Sequence, residues 1–338
     1  LARLKDIADA LNLSTSTVSR VVNNQDRVDP ETRRRVLAAM KQLNYQPNDN
    51  ARRLKTNSSN VIGVIVPDIA NPFYAAVIKS IERKVMAAGW SVLLCNSDES
   101  AEREVQAVRL LMRQKVAAII VASTVDQSSI PELYVGLECP VVFFDNIPHN
   151  IRSIFAVTID NVRAVSDLVH YMLACGHRRI CMITGPAGES SADERLAGWR
   201  QALLKAGIEP GPDWFGRGDF REESGRAVME QFLKSAEKPT AVIAANNLMA
   251  FGAVKAIEAA GLYIPDDMSI GAFDIVDTTG LMRLSITTVV EPAEEIGLVA
   301  ADLSLAAGRK GSEQACRKVV LEHVFCPNET VRKLGMAE

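Results

Sequence analysis

Nine short apolar runs separated by amphipathic stretches constrain this chain more than any other feature. They read VIGVIVPD from Val61, WSVLLCNSD from Trp90, AAIIVAS from Ala117, PVVFFDN from Pro140, FAVTID from Phe155, RRICMITG from Arg178, TAVIAANN from Thr240, MSIGAFD from Met268 and TTVVEP from Thr287. Runs this continuous fit strands covered on both faces, because a half-exposed strand would alternate apolar and polar residues. The stretches between them, such as Phe73 to Ala88 and Ser100 to Gln114, have the length of right-handed helical crossovers. The body is therefore expected to be a parallel α/β structure. Nine strands divide into two sheets, and a break near Asp160-Asn161 with a return near Glu291-Pro292 gives two similar lobes with a cleft between them.

Residues 1–60 do not share this rhythm, and their charge differs too. They hold 11 Lys and Arg against 6 Asp and Glu, whereas the remainder holds 27 against 35. A basic head on an acidic body suits a polyanion-binding module joined to something that does not bind polyanions. No run approaches the roughly 18 consecutive apolar residues of a membrane span. The first residues, LARLKDIADAL, carry charges where a secretory signal needs an apolar stretch. These features lead us to expect a soluble, cytoplasmic protein with no membrane partner. The six cysteines form no C-x-x-C pair and lie mostly in apolar runs, where cysteine acts as a small hydrophobe.

The head reads as three short helices. Leu4, Ile7, Ala8 and Leu11 share a face of the first, and Asn12 stands where the chain must turn sharply and a left-handed residue fits. Ser14 suits the N-cap of a second helix with Val18, Val21 and Val22 inward. Asp29-Pro30-Glu31 opens a third, with Val36, Leu37, Met40 and Leu43 as its apolar stripe. Two helices of about eight residues joined by a tight turn match a helix-turn-helix. Thr15 and Ser16 are short enough to approach base edges in a major groove, and Arg20 can pair with guanine O6 and N7. A small interaction bundle with a merely solvated polar face remains the alternative.

Ligands of parallel α/β lobes sit at the carboxyl ends of strands. Asp68, Asn71, Phe73, Asp145, Asn146, Asp160, Asn161, Asn246, Asn247 and Asp274 occupy such positions. Amides and carboxylates backed by aromatic faces suit a hydroxyl-rich ligand such as a sugar. There is no phosphate loop, dinucleotide fingerprint or nucleophile elbow, and no His/Cys cluster with metal spacing; neither a catalytic residue, a cofactor nor a metal site is expected. A cytosolic sugar-binding protein, or a sugar-metabolising enzyme with a non-DNA N-terminal interaction module, is the competing reading. His177, in CGHRRI, reads as closing a helix rather than binding ligand.

The stretches LKDIADALNLSTSTVSRVVNN, RVDPETRRRVLAAMKQLNYQPN and ARRLK resemble the DNA-binding head and hinge of the lactose-repressor/galactose-repressor family. VIGVIVPDIANPFY, ITGPAGESSADERLAGW, PTAVIAANNLMAFGAVKAI and TTVVEP resemble its effector-binding core, so the likeness runs through the whole chain in order. It implies a three-helix helix-turn-helix head at 1–47, a hinge helix or linker at 48–60, and a periplasmic-binding-protein-like body at 61–338. Lobe 1 would comprise about 61–160 and 292–320, and lobe 2 about 161–291 and 321–330. The implied function is a homodimeric repressor that reads twofold-symmetric double-stranded operator DNA under the control of a sugar-like effector. Backbone contacts fall to Thr17, Ser19, Asn23, Thr32, Arg52, Arg53 and Lys55, and Leu54 becomes a wedge into a minor-groove base step. Effector contacts fall to Asn71, Phe73, Asp160, Ser191, Arg195, Phe220, Asn246 and Asp274, with Arg195 aimed at ligand hydroxyls or a carboxylate and Phe220 stacking. Two positions depart from the family pattern. Asn247 stands where aspartate is usual, and Ala272 where a second glycine or valine-glycine step is common. Glu189, at the expected edge of the pocket, disfavours a strongly anionic ligand unless Arg195 compensates.

Overall fold

The computed structural model describes residues 2–22, 28–45, 59–124, 130–147, 154–276, 284–308 and 316–334. The chain forms two compact units, Leu1–Ser59 and Asn60–Glu338.

The first unit contains α1 (Leu4–Leu11), α2 (Thr15–Val22) and α3 (Pro30–Gln42). Asn12 ends α1 with φ 53°, the left-handed conformation its short amide side chain tolerates, and the chain turns at once into α2. Ser14 caps that helix, its Oγ accepting the Thr17 backbone N–H at 3.1 Å. Asp29 caps α3 by accepting the Thr32 N–H at 2.9 Å. Ile7, Ala8, Val18, Val21, Val36 and Ala39 make the small core. The stripe expected on α3 is only partly right: Leu37 and Leu43 are exposed. With Val36, Ala39 and Met40 turned inward, Leu37 lies about 100° away around the helix.

The second unit holds two six-stranded sheets. The first takes β1 (Val61–Val66), β2 (Ser91–Asn96), β3 (Ala118–Val121), β4 (Val141–Phe144), β5 (Phe155–Ile159) and β11 (Lys318–Leu321), in the order β11-β5-β4-β3-β1-β2. The second takes β6 (Ile180–Thr184), β7 (Phe215–Arg217), β8 (Ala241–Ala244), β9 (Ser269–Phe273), β10 (Thr287–Val290) and β12 (Val324–Cys326), in the order β12-β10-β9-β8-β6-β7. All pairings are parallel except β10 with β12. Both lobes are wound alike, and each reverses strand order once, between β1 and β3 and between β6 and β8, which opens a crevice at the carboxyl ends.

The nine apolar runs form nine of these strands. The three that composition did not reveal, β7, β11 and β12, are outermost in their sheets and only partly buried, so they need no continuous apolar run. The helices are α4 (Pro72–Ala87), α5 (Ala101–Arg113), α6 (Ile130–Tyr134), α7 (Asn161–Ala174), α8 (Ser190–Lys205), α9 (Glu222–Lys234), α10 (Asn247–Ala259) and α11 (Ala293–Ala307). Apolar clusters lie on both faces of the first sheet, and a larger one centred on Trp199 and Phe273 fills the second lobe. The chain crosses between sheets after β5, after β10 and after β11. His177 has a structural place: its ring bridges the Thr240 hydroxyl at 3.0 Å and the Arg332 carbonyl at 3.1 Å.

Helices α9 and α10 touch backbone to backbone. A Cβ built on Gly252 would meet the Glu222 carbonyl oxygen at 2.0 Å, so the helices must separate for any side chain there. Gly252→Ala is expected to destabilise the second lobe by about 1–3 kcal/mol, read as a lower urea midpoint of tryptophan fluorescence. An unchanged midpoint would contradict this packing.

Candidate functional site

In the head, the exposed face of α2 carries Thr15, Ser16 and Arg20, with Thr17 and Ser19 half-buried beside them. The Ser14 hydroxyl also meets Ser16 Oγ at 2.7 Å and Thr17 Oγ1 at 2.8 Å, which fixes the start of this face. Thr32 is drawn into the cap of α3, bonded to Asp29 through both backbone and side chain. Asn23, Arg52, Arg53, Leu54 and Lys55 lie outside the described residues.

In the body, one cleft gathers strand-end residues of both lobes: Asn71, Phe73, Tyr74, Glu99 and Asp145 from the first, and Ser191, Arg195, Phe220, Asn246, Asn247, Asp274 and Glu291 from the second and its crossover. Of the residues expected to touch an effector, only Asp160 stands apart. It is exposed, and its carboxylate caps α7 by accepting the Arg163 N–H at 2.9 Å. Its neighbour Asn161, buried, is the one that faces the cleft floor. Sequence reasoning passed over Tyr74, Glu99 and Glu291. Glu99 follows β2 and Glu291 follows β10, so strand-end position was the available signal; Glu291 was read only as a crossover point.

Arg195 is the centre of the floor. Its Nε donates to Asn161 Oδ1 at 2.8 Å, its Nη1 to the Ala245 carbonyl at 2.6 Å, and its Nη2 to Glu291 Oε1. The guanidinium also lies 3.9 Å from the centroid of the Phe273 ring. Glu291 in turn donates its backbone N–H to Asp274 Oδ1 at 2.8 Å. Asn161 and Glu291 belong to two of the three crossover segments, so one buried cation ties both to the end of β8. The expectation that Arg195 reaches freely toward ligand is thereby revised: three of its donors are engaged within the protein.

Above the floor, the lobes are joined directly. Asn71 Nδ2 donates to Asn247 Oδ1 at 3.1 Å, and Asn247 Nδ2 donates back to Asn71 Oδ1 at 2.9 Å. Asn71 Oδ1 also caps α4 by accepting the Phe73 N–H at 3.0 Å, which fixes its amide orientation and hence what the partner must offer. Asn146 accepts from the Ser191 N–H at 3.1 Å and hydroxyl at 2.7 Å, and donates to Glu189 at 2.8 Å. Arg221 donates to the Asp98 carbonyl at 2.7 Å. The free space left at the centre is only about 30 Å³, well below the roughly 300 Å³ and more of small-molecule sites. A larger hollow of about 460 Å³ lies against α11 and β11, lined by apolar side chains together with Glu295, Asp302 and Arg317, away from the cleft between the lobes.

Carboxyl groups dominate the cleft electrostatics. Burial, first, and neighbouring carboxylates, second, push Glu99 up to about 8, Asp145 to about 7, Glu189 to about 9 and Glu291 to about 8. Asp274 is raised by burial to about 6 despite Arg195 beside it. Burial opposes the charge on Arg195, but Glu291, Asp145 and Asp274 overcome it and hold the guanidinium charged. Asp98, Glu99, Asp145, Phe220 and Asp274 all have left-handed backbone, with φ between 53° and 63°. Such residues cost free energy and gather where a site needs particular side-chain directions. Phe220 is pressed onto the end of β6, where a Cβ on Gly185 would meet its ring at 2.2 Å.

Comparison with known proteins assigns this arrangement. Residues 3–48 match the model for bacterial regulatory proteins of the lacI family. Residues 59–320 match the model for periplasmic binding proteins and the sugar binding domain of the LacI family. The chain belongs to the LacI family. It is 34% identical over 304 residues to the transcriptional repressor CytR of Escherichia coli strain K12, covering 88% of this chain and 86% of CytR. It is 30% identical over 310 residues to the repressor PurR of Aliivibrio salmonicida strain LFI1238, covering 90% of this chain and 92% of PurR. A crystal structure of the lac repressor dimer bound to operator and the anti-inducer ONPF superposes with TM-score 0.86 at 27% identity, covering 98% of this chain and 99% of that one. As a LacI-family regulator the protein is a DNA-binding transcription factor with an effector-binding body, and its relatives are regulators rather than enzymes. Among the described residues no helix is long and apolar enough to cross a membrane.

Two outcomes are expected. A carboxyl that holds its proton more tightly in the folded chain than in the unfolded one stabilises the fold fully below its unfolded value near 4. That contribution is lost as pH rises through the folded values of about 6 to about 9. All three tryptophans, Trp90, Trp199 and Trp214, lie in the body, so their thermal transition should fall between about pH 5 and about pH 9; a rise across this window would contradict the cluster. Asn247→Asp places a carboxylate oxygen against Asn71 Oδ1, leaving a buried acceptor unpaired at a cost of about 1–3 kcal/mol. Amide hydrogen exchange at residues 72–74 and 248–250 should quicken, and unchanged protection there would remove the amide pair as a lobe contact.

Proposed function

We propose that this protein is a cytoplasmic homodimeric repressor that binds twofold-symmetric operator DNA through its heads and is switched by a small hydroxyl-bearing effector held between its lobes. The observation that carries this reading is the joining, in one chain, of an exposed polar α2 face to a two-lobed body closed over a polar, aromatic-walled cleft. Thr15, Ser16 and Arg20 are assigned to base edges in the major groove. Thr17, Ser19, Asn23 and Thr32 are assigned to the sugar-phosphate backbone, together with the hinge residues Arg52, Arg53 and Lys55; Leu54 is assigned to a minor-groove base step. A dimer is inferred from the operator-bound lac repressor dimer, whose chain this one matches over 98% of its length, and a twofold protein on a palindromic site makes half-site spacing a geometric consequence.

Control by effector follows from the closed cleft. With about 30 Å³ free, a sugar-sized ligand enters only by separating the groups that now fill it, including the Asn71–Asn247 pair and the Asn146–Ser191 contacts. Binding is therefore coupled to the angle between lobes. Because β1 begins at Val61, immediately beyond the hinge, a change in the first lobe displaces the point from which each hinge departs. Operator DNA must then change effector affinity by the same factor that effector changes operator affinity. Asn71, Phe73, Ser191, Phe220, Asn246 and Asp274 are assigned to effector contact, and Arg195 to holding the crossovers while its remaining donors face the ligand.

Selection of operator from random duplex by the full chain tests the DNA reading. Arg20→Ala should cost about 1–3 kcal/mol against the selected site and relax preference at one base pair. Affinity should also fall steeply as salt rises, because phosphate contacts release counterions. No enrichment of any symmetric sequence, or a salt-independent affinity, would overturn it.

A further inference from the structure

The charge within the cleft is lopsided in a way that a plain sugar does not need. Glu99, Asp145, Asp274 and Glu291 line it, Glu189 lies outside the lining but is coupled to Glu99 and Asp145, and the one guanidinium in the lining, Arg195, is already bonded to Asn161, Ala245 and Glu291. Among the described residues the Asp145 carboxylate accepts a single hydrogen bond, from the neutral Tyr74 hydroxyl at 2.8 Å. Among the described residues the Glu189 carboxylate accepts only from the Asn146 amide at 2.8 Å. No hydrogen-bond donor among the described residues reaches the Glu99 carboxylate, and Arg221, whose charge partly offsets the rise in its proton affinity, bonds the Asp98 carbonyl and lies 3.6 Å from the Asp98 carboxylate. Phe73, Tyr74 and Phe220 surround the same space. Their faces attract a cation as well as the apolar face of a ring.

We propose that the effector carries a protonated primary amine among its hydroxyl groups, in its simplest form an amino sugar, and that the cleft rejects anionic ligands. This rests on the cleft being the effector site. An ammonium group brings three donors and a positive charge to carboxylates that the protein leaves short of both. Acceptor lone pairs on Glu99 and Asp145 then gain partners, while the sugar ring lies against Phe73 and Phe220. A uronic acid of the same size would set a fifth carboxyl group among the four that line the cleft. Burial holds protons on these groups in the empty cleft, so a bound ammonium competes with those protons and proton release should accompany binding, making the amine preference stronger as pH rises.

The test uses the full-length chain at pH 7.5, followed by tryptophan fluorescence on heating. Glucosamine, galactosamine and mannosamine are compared with the parent hexoses, the N-acetylated amines and the hexuronic acids at equal ionic strength. At least one free amine is expected to raise the midpoint and to bind ten-fold or more tightly than its three counterparts. Glu99→Gln, which keeps shape and loses charge, should narrow that preference toward the neutral hexose. Tighter binding of a neutral or anionic form, or no stabilisation by any of the amines, would overturn the proposal, as would an amine preference unmoved in both Glu99→Gln and Asp145→Asn. Operator affinity measured with the same compounds separates the two readings. A neutral sugar that binds and shifts operator affinity defeats the charge proposal alone. An amine that binds in the cleft without shifting operator affinity defeats the effector reading and leaves the charge preference standing.

Discussion

The ion pair of Arg195 with Glu291 governs how the body is held together, because it lies where the chain passes between lobes. Both side chains are buried, and their interaction would be weak evidence for stability if it stood alone. Desolvating two charges costs several kcal/mol, and well-packed apolar residues often serve a core better. What distinguishes this pair is its reach: through Asn161 and Glu291 the guanidinium holds two crossovers, and through the Ala245 carbonyl it holds the end of β8. Removing the cation would leave Glu291 and Asp274 facing each other, buried and uncompensated. The pair therefore sets the relative geometry of segments about which the lobes must turn, and apolar packing could fill that space without directing it.

Above this floor the contacts between lobes are of another kind. Asn71 with Asn247, Asn146 with Ser191, and Arg221 with the Asp98 carbonyl are few hydrogen bonds at the carboxyl ends of strands, each worth about 0.5–1.5 kcal/mol net. A ligand that brings its own donors and acceptors can replace them at little loss. The division of labour is physical: a strongly coupled floor that persists and a weakly bonded mouth that exchanges partners. Differential contact of this sort is what lets a bound molecule shift an equilibrium between lobe arrangements.

Much of the fold was legible because burial on both faces imposes continuous apolar runs, and all nine runs became strands. The edge strands β7, β11 and β12 were not, since an edge requires little burial; β2, also outermost and without a buried residue, was legible only through its own apolar run. Capping chemistry was equally legible at Ser14, Asn12 and Asp29, where one side chain decides a local geometry. The cleft was readable as a set of strand ends but not as a set of roles. Asp160 and Asn161 are adjacent, and only backbone direction at the start of α7 decides that the first caps and the second faces Arg195. Glu99 depends on two successive left-handed residues, Asp98 and Glu99, which composition does not announce. Leu37 failed because a stripe on a short helix admits more than one inward face until its partners are known.

Asn247 lies where the contact between lobes meets the crowding of acids. An aspartate there would accept from Asn71 Nδ2 but present a second carboxylate oxygen to Asn71 Oδ1, whose orientation the Phe73 cap has already fixed. It would also add a further acid to a cleft lined by Glu99, Asp145, Asp274 and Glu291 around one cation. Asparagine joins the lobes with two reciprocal hydrogen bonds and brings no charge. Where neighbouring carboxyl groups already raise one another's proton affinity, a neutral bridge is the arrangement that keeps the mouth closed without adding to the repulsion beneath it. Asparagine at this position thus suits the crowding of acids around it, and the same crowding bears on what kind of molecule the cleft can hold.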